Sequence, residues 1–293
     1  MTTPPALLTG SQAQCWAQDS ADYPPELRDL AQPPRELYAI GRPSALSSPR
    51  VAIVGTRNST AYGERITRTL TRALARGGAS IISGMARGID AAAHRTALEV
   101  GGNTVAVLGT GVDVPYPVGH RLLHRTIGEL GLLLSENPPG TPAGPGSFPK
   151  RNRIIAALAP VTIVVEAGFR SGALNTASQA LELGRTVAAV PGPIDSEQSR
   201  GSNQLLRDGA VLIAAPDDAL TLLGISAPKD IATPPLLPDS EQKIWDAIAD
   251  GFVATDALPA ITGLSMAECL AAITSLEIMG LAECSLAGEI RRC

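Results

Sequence analysis

Between residues 51 and 223 the chain repeats one alternation: a short apolar run, a glycine-rich polar turn, then a helical pattern. The runs are Val51–Val54, Ser80–Ile82, Val105–Leu108, Leu132–Leu134, Val161–Val165, Val187–Val190 and Val211–Ala214. Nearly all are continuous rather than alternating, which is the pattern of strands buried on both faces. Helical patterns lie between them over Gly63–Ala75, Asp90–Val100, Ala173–Leu183 and Gly201–Asp208. Strand–helix alternation of this kind predicts an α/β fold, a doubly wound and mostly parallel sheet. Ligands on such sheets bind in the loops past the carboxyl ends of the strands. Aromatic residues are only 3% of the chain, so the core rests on Ala, Val, Ile and Leu.

The flanks read differently. Residues 1–50 are rich in Pro and Ala, and predict a lead-in segment packed on the core, with a short helix near Pro24 and a strand after Pro34. The doubly wound domain spans 51–223, and residues 224–238, with Pro228, Pro234, Pro235 and Pro238, read as a linker. Residues 239–293 show three helical patterns. Asp239 or Ser240 caps the first, Thr255–Ile261 forms the second, and Ser265 with Glu268 makes a capping box for the third. A strand pair, Leu281–Ser285 and Glu289–Arg292, follows with a turn near Gly288. Three helices and a hairpin predict a small winged-helix domain.

Charge is divided unevenly. Residues 234–293 carry 3 cations against 9 anions, and the rest of the chain 21 against 19. The four cysteines are scattered with no C-x-x-C, which fits a reducing cytoplasm and argues against a zinc or disulfide framework. No apolar run approaches the ~20 residues of a membrane span.

Strand ends gather the polar loops: Gly55-Thr56-Arg57, Ser83-Gly84, Gly109-Thr110-Gly111, Glu166-Ala167-Gly168 with Ser171-Gly172, and Pro191-Gly192. Together they predict a sheet edge lined with backbone N–H groups, a surface suited to anions. The segment Phe148-Pro149-Lys150-Arg151-Asn152-Arg153 adds three cations at the start of an apolar helix. Positive charge at a positive helix pole is favourable when an anion, above all a phosphate, sits there. Neither G-x-G-x-x-G nor a Walker A sequence follows the first strand, so NAD(P) and ATP lack their usual phosphate loops. His120 and His124 lack the spacing partners of a metal site and read as capping or solvated side chains. Asp90, Glu136 and Glu166 lie near strand ends and read as braces for loop N–H groups in preference to acid–base catalysts.

In order and spacing these motifs resemble the DNA processing protein A family (DprA, also called Smf). The resemblance is carried by Gly55-Thr56-Arg57 with Tyr62-Gly63, by Ser83–Asp90 with His94, and by Gly109-Thr110-Gly111 with Pro115-Tyr116-Pro117. Further matches are Ser135-Glu136, Phe148-Pro149 with Arg151-Asn152-Arg153, Glu166-Ala167-Gly168 with Ser171-Gly172, and Val190-Pro191-Gly192. It implies an extended Rossmann-like fold that binds single-stranded DNA and loads the RecA recombinase onto it, in transformation or recombination. It also implies a homodimer, no cofactor and no catalytic turnover. Many members carry an N-terminal helical module, for which the lead-in segment leaves little room.

Single-stranded DNA needs a basic groove and surfaces for its bases. The residues expected to supply them are Gly55, Thr56, Arg57, Ser83, Gly84, Phe148, Lys150, Arg151, Asn152, Ser171 and Gly172, with Phe169 a further stacking candidate. The third helix of the C-terminal domain contains Glu268 and Glu277 and no Lys or Arg, so it reads as a protein-contact or dimer-stabilising element. A second reading is a phosphoribohydrolase-like Rossmann enzyme, compared through the loop 167–176. Thr176 stands there in place of the glutamate such enzymes need.

Overall fold

The computed structural model describes residues 13–46, 49–225, 237–248, 253–279, 281–285 and 288–292. The chain forms two compact units, Met1–Pro228 and Lys229–Cys293. Of the predicted linker, residues 226–236 lie outside the described residues.

The first unit is built on nine strands: β1 (Gln14–Ala17), β2 (Glu36–Gly41), β3 (Arg50–Val54), β4 (Ser80–Ser83), β5 (Thr104–Val107), β6 (Leu132–Ser135), β7 (Val161–Val164), β8 (Thr186–Ala189) and β9 (Val211–Leu212). They lie in the order β1-β2-β6-β5-β4-β3-β7-β8-β9. From β6 to β9 every pairing is parallel. The helices are α1 (Ala61–Arg76), α2 (Ile89–Glu99), α3 (Arg121–Leu130), α4 (Ser147–Leu158), α5 (Gly172–Glu182), α6 (Arg200–Arg207) and α7 (Pro216–Leu222).

Side chains alternate across the sheet, yet both faces are apolar because both are covered. Val51, Ile53, Ile81, Val161 and Ile163 pack with Leu70 and Leu74 of α1 and Leu220 of α7. Ala52, Val54, Val107, Leu134 and Val164 pack with Ile154 and Ile155 of α4 and Ala177 of α5. This is why the strands read as continuous apolar runs.

The lead-in segment is more than packing. β1 and β2 join the sheet itself, β2 pairing antiparallel with β6 in the register Tyr38↔Ser135. Leu37 and Ala39 enter the core, and the Tyr23 hydroxyl donates to Pro34 O at 2.9 Å. The strand order reverses between β3 and β7. Successive strands run outward from β3 on one side, through β4 and β5, and from β7 on the other, through β8 and β9. The carboxyl ends of β3 and β7 therefore open a crevice at the switch point.

The second unit holds α8 (Asp239–Ala247), α9 (Leu258–Thr262), α10 (Met266–Ile278) and a three-stranded sheet of β10 (Val253–Ala254), β11 (Ala282–Cys284) and β12 (Glu289–Arg292), ordered β10-β12-β11. Ile244, Trp245, Leu258, Cys269, Ile273, Leu276 and Ile290 make its core. Ser265 and Glu268 form the predicted capping box on α10. The start of α8 differs from expectation: Pro238 occupies the cap, and Asp239 and Glu241 fall in the first turn, where their charge favours the helix pole. Among the described residues no single helix is long and apolar enough to cross a membrane.

Candidate functional site

The switch point carries a cleft of about 530 Å³. Its walls come from five places: Gly55, Thr56 and Arg57 after β3; Ala86 and Asp90 after β4; Phe148, Arg151 and Asn152 from α4; Gly168–Ser171 after β7; and Gly172, Ala173, Asn175 and Thr176 at the start of α5. A smaller notch of about 80 Å³ adjoins it, between Arg57, Arg87, Tyr116 and Phe148.

The cleft is held open from beneath by two buried carboxylates. Glu166 sits under the amino end of α1. Thr60 Oγ1 donates to its Oε1 at 2.5 Å, and the Thr60 backbone N–H donates to its Oε2 at 3.0 Å. Gly63 leaves room for that carboxylate; a Cβ there would stand 2.1 Å from Glu166 Oε2. Asp90 accepts from the backbone N–H groups of Gly84 (3.2 Å) and Ala86 (3.3 Å). Burial pushes its carboxyl up, opposed by the Arg151 guanidinium and those two N–H groups. Both acids brace loops, as their positions near strand ends suggested.

The three cations of α4 do not form one charge cluster. Helical spacing puts Phe148, Arg151, Asn152 and Ile155 on one face, which lines the cleft, and Lys150 and Arg153 on another. Lys150 is largely solvated and lies 3.3 Å from Glu136, away from the cleft lining. Arg153 donates to the same Glu136 at 2.5 Å and to Gln32 O at 2.7 Å. Arg151 is 4% exposed and donates to Gly84 O at 2.5 Å and to Val107 O. Burial lowers its ionisation to about 10. Arg151 thus ties the loop after β4 to α4: its Nη1 donates to the two carbonyls, its Nε donates to Asn152 Oδ1 at 3.3 Å, and its guanidinium also lines the cleft.

Ser83 and Gly84, expected in the binding surface, are likewise taken up inside. The Ser83 hydroxyl donates to Ile53 O at 2.6 Å, and the Gly84 N–H is bonded to Asp90. Gly84 borders only the small notch. Asn152 donates to Gly172 O and Asn175 Oδ1, both at 3.2 Å, and so orients the start of α5. Ser171 caps that helix, accepting from Ala173 N–H.

What faces solvent at the cleft is different. Arg57 and Arg170 are exposed with no carboxylate within ion-pair distance among the described residues. The Arg57 guanidinium lies 5.2 Å from the centre of the Phe148 ring. Tyr116 packs on the same ring, with centroids 5.1 Å apart and planes tilted by 32°. Phe169 is exposed on the opposite rim. Tyr116 stands in the sequence only as part of the Pro115-Tyr116-Pro117 motif, and neither it nor Arg170 is among the residues expected to bind DNA. Tyr116 lies 32 residues before Phe148, in a loop whose return to the site only the fold reveals.

His120 and His124 are buried rather than solvated. His120 Nδ1 meets Met85 O at 3.0 Å, and His124 Nε2 meets Val112 O at 2.8 Å. Among the described residues no group of three His, Cys, Asp or Glu side chains forms a metal site. Thr176, at the position where the enzyme reading needs a glutamate, is buried with its hydroxyl directed at Gly172 O. Asp90 is the one carboxylate in the described lining.

A family model described as DNA recombination-mediator protein A matches residues 14–224, and one described as DprA winged helix domain matches residues 227–289. A Mycobacterium tuberculosis protein provisionally named DNA processing protein DprA is 43% identical over 267 residues, 88% of this chain and 68% of the relative. The X-ray structure of DNA processing protein A from Streptococcus pneumoniae aligns with TM-score 0.68 at 40% identity, covering 71% of this chain and 73% of the other. The DNA processing protein A of Helicobacter pylori, solved in a study of its single-stranded DNA binding mode, aligns with TM-score 0.67 at 32% identity. It covers 74% of this chain and 98% of that one.

Proposed function

The chain belongs to the DNA processing protein A family, and from that premise we propose that it binds single-stranded DNA in the switch-point cleft and hands it to RecA. The observation that carries this reading is the pairing of Arg57 with Phe148 and Tyr116 at the cleft mouth. A phosphate meets Arg57 and Arg170 there, and the N–H groups at the start of α5 add their partial charge. A base stacks against the exposed edges of Phe148 and Tyr116, or on Phe169 across the rim. Backbone contacts and sequence-tolerant stacking together give little base preference and strong salt dependence.

The protein works by binding rather than by turnover. Asp90 and Glu166 have oxygens committed to loop N–H and hydroxyl groups, and Thr176 offers no acid. Its place is the cytoplasm, where RecA and DNA are. The second unit serves protein contact or homodimer stability. Support for this is α10, which has no Lys or Arg and exposes Met266, Leu270 and Ile278.

A competition shift assay tests the reading. Oligo-dT should bind tightly and duplex DNA weakly; equal affinity for the two would overturn it.

A further inference from the structure

Across the loop after β4 lies a second hollow, of about 210 Å³, which the reading above does not use. Arg68 and Glu64 of α1, Arg87 of the loop, and Arg95 and Glu99 of α2 form its walls. Gly88, Ala91, Ala92 and His120 complete it. Of the three arginines only Arg68 has an acid partner, Glu64 at 4.0 Å, and Glu64 also accepts from the Ser59 hydroxyl at 3.0 Å. Arg87 and Arg95 are exposed and have no ion pair among the described residues. Burial, and after it the charges of Arg95 and Arg87, disfavour protonation of His120.

The hollow is tied to the first site in two ways. Arg87 lines both it and the notch that holds Arg57, Tyr116 and Phe148. Gly88 has φ +74, and a Cβ there would stand 2.4 Å from Thr56 O, so the two loops are in backbone contact. Ile89 N–H also donates to Thr56 O, at 3.3 Å. The spacing between Arg57 and Arg87 is therefore set by the fold and not by flexible side chains alone.

We propose that this hollow is a second phosphate subsite, which takes the backbone of the same single strand after it leaves the Arg57–Phe148 mouth and passes over Arg87. The inference rests on the single-strand reading of the cleft. Three arginines against two glutamates leave a local balance of only +1. Such a site holds a phosphate weakly on its own and effectively when the phosphate is already tethered to an occupied cleft, because the local concentration is then high. A strand that ends within the cleft gains nothing from it.

The test compares oligo-dT of about 4 nucleotides with oligo-dT of about 16, the span over which single-strand sites vary. The full chain carries Arg95→Ala, or Arg68→Ala with Arg95→Ala, and Arg57→Ala serves as the reference. The side chains lie at the surface, and a thermal melt confirms that each variant folds. Arg95→Ala should weaken the long oligonucleotide by roughly three- to tenfold, with a salt slope shallower by about 0.7 for each phosphate no longer neutralised, and leave the short one unchanged. Arg95→Lys should restore most of the affinity. If the double variant binds the long strand with unchanged affinity and slope while Arg57→Ala weakens both lengths, the second subsite is wrong and the cleft reading stands. If the double variant weakens both lengths equally, the hollow is not an extension of the path and the proposal also falls. If Arg57→Ala weakens neither length, the cleft reading itself fails.

Discussion

Arg151 and Lys150 are neighbours in sequence with opposite fates, and the difference is testable. Lys150→Ala removes a solvated charge paired with Glu136, so it should change oligo-dT binding and stability by less than about 0.5 kcal/mol. Arg57→Ala should cost binding about 1–3 kcal/mol with folding intact. Arg151→Ala leaves Asp90 buried beside an empty space and two carbonyls without their donor. It should cost about 3–5 kcal/mol of folding stability, read from urea midpoints. Helical spacing alone separates Lys150 and Arg153 from Arg151 on the sequence. Which of the two faces meets the sheet depends on how α4 crosses it, and no local signal carries that. His94 gives a second residue-scale test. Thr104 Oγ1 donates to Ile81 O at 3.0 Å, so at 2.7 Å it must accept from His94 Nδ1–H. Burial holds its ionisation down at about 3. Above pH 6.5 neither folded nor unfolded chain protonates it. Below that, the unfolded chain takes up a proton and the folded chain does not, so stability falls with pH. By pH 5 this one group removes about 2 kcal/mol. His94→Gln should flatten that part of the pH dependence of the urea midpoint; an unchanged slope would show that His94 is not its source.

Among the elements, those the sequence announced most clearly are the strands buried on both faces, since a continuous apolar run between glycine turns has few other uses. β2 follows Pro34 as the sequence predicts, whereas β1 and the sheet partner of β2 carry no local signal. β1 is exposed at three of its four residues, with Trp16 its one buried residue, and β2 finds its partner β6 far along the chain. Two-residue β10 carries no pattern at all and exists through its pairing with β12. The candidate cleft is legible in the sequence where a glycine loop directly follows a strand, as at Gly55-Thr56-Arg57, or opens a helix, as at Ser171-Gly172. It was illegible where a side chain's bonding decides, as at Ser83, whose hydroxyl turns back into the sheet. The contact between the amino end of α1 and the loop after β7 gives the prediction for this scale. Gly63→Ala would press a methyl group on Glu166, which is fixed by Thr60. We expect about 1–3 kcal/mol of destabilisation. Glu166→Gln in the same background should not relieve it, since the amide is as large; a rescue would mean charge, not volume, was the cause.

For the whole molecule, the two units have separate cores, and the acidic charge lies with the smaller. Ending the chain after residue 233 removes a balance of −6 and none of the cleft. Oligo-dT affinity should stay within about threefold or rise slightly at low salt, since only electrostatic repulsion is removed. A folded truncation that binds an order of magnitude more weakly would move the DNA contact onto the winged helix. The place of β2 in the sheet also has a consequence for how the protein is made. Tyr38 pairs opposite Ser135, 97 residues later, so a ribosome adding about 5–20 residues per second holds the emerging β1–β2 ribbon without its neighbour for roughly 5–20 s. During that interval the future inner edge of β2, with Leu37 and Ala39 beside it, is open to any other strand. Slow translation between these two points would lengthen the exposure, and the yield of soluble protein should fall with it.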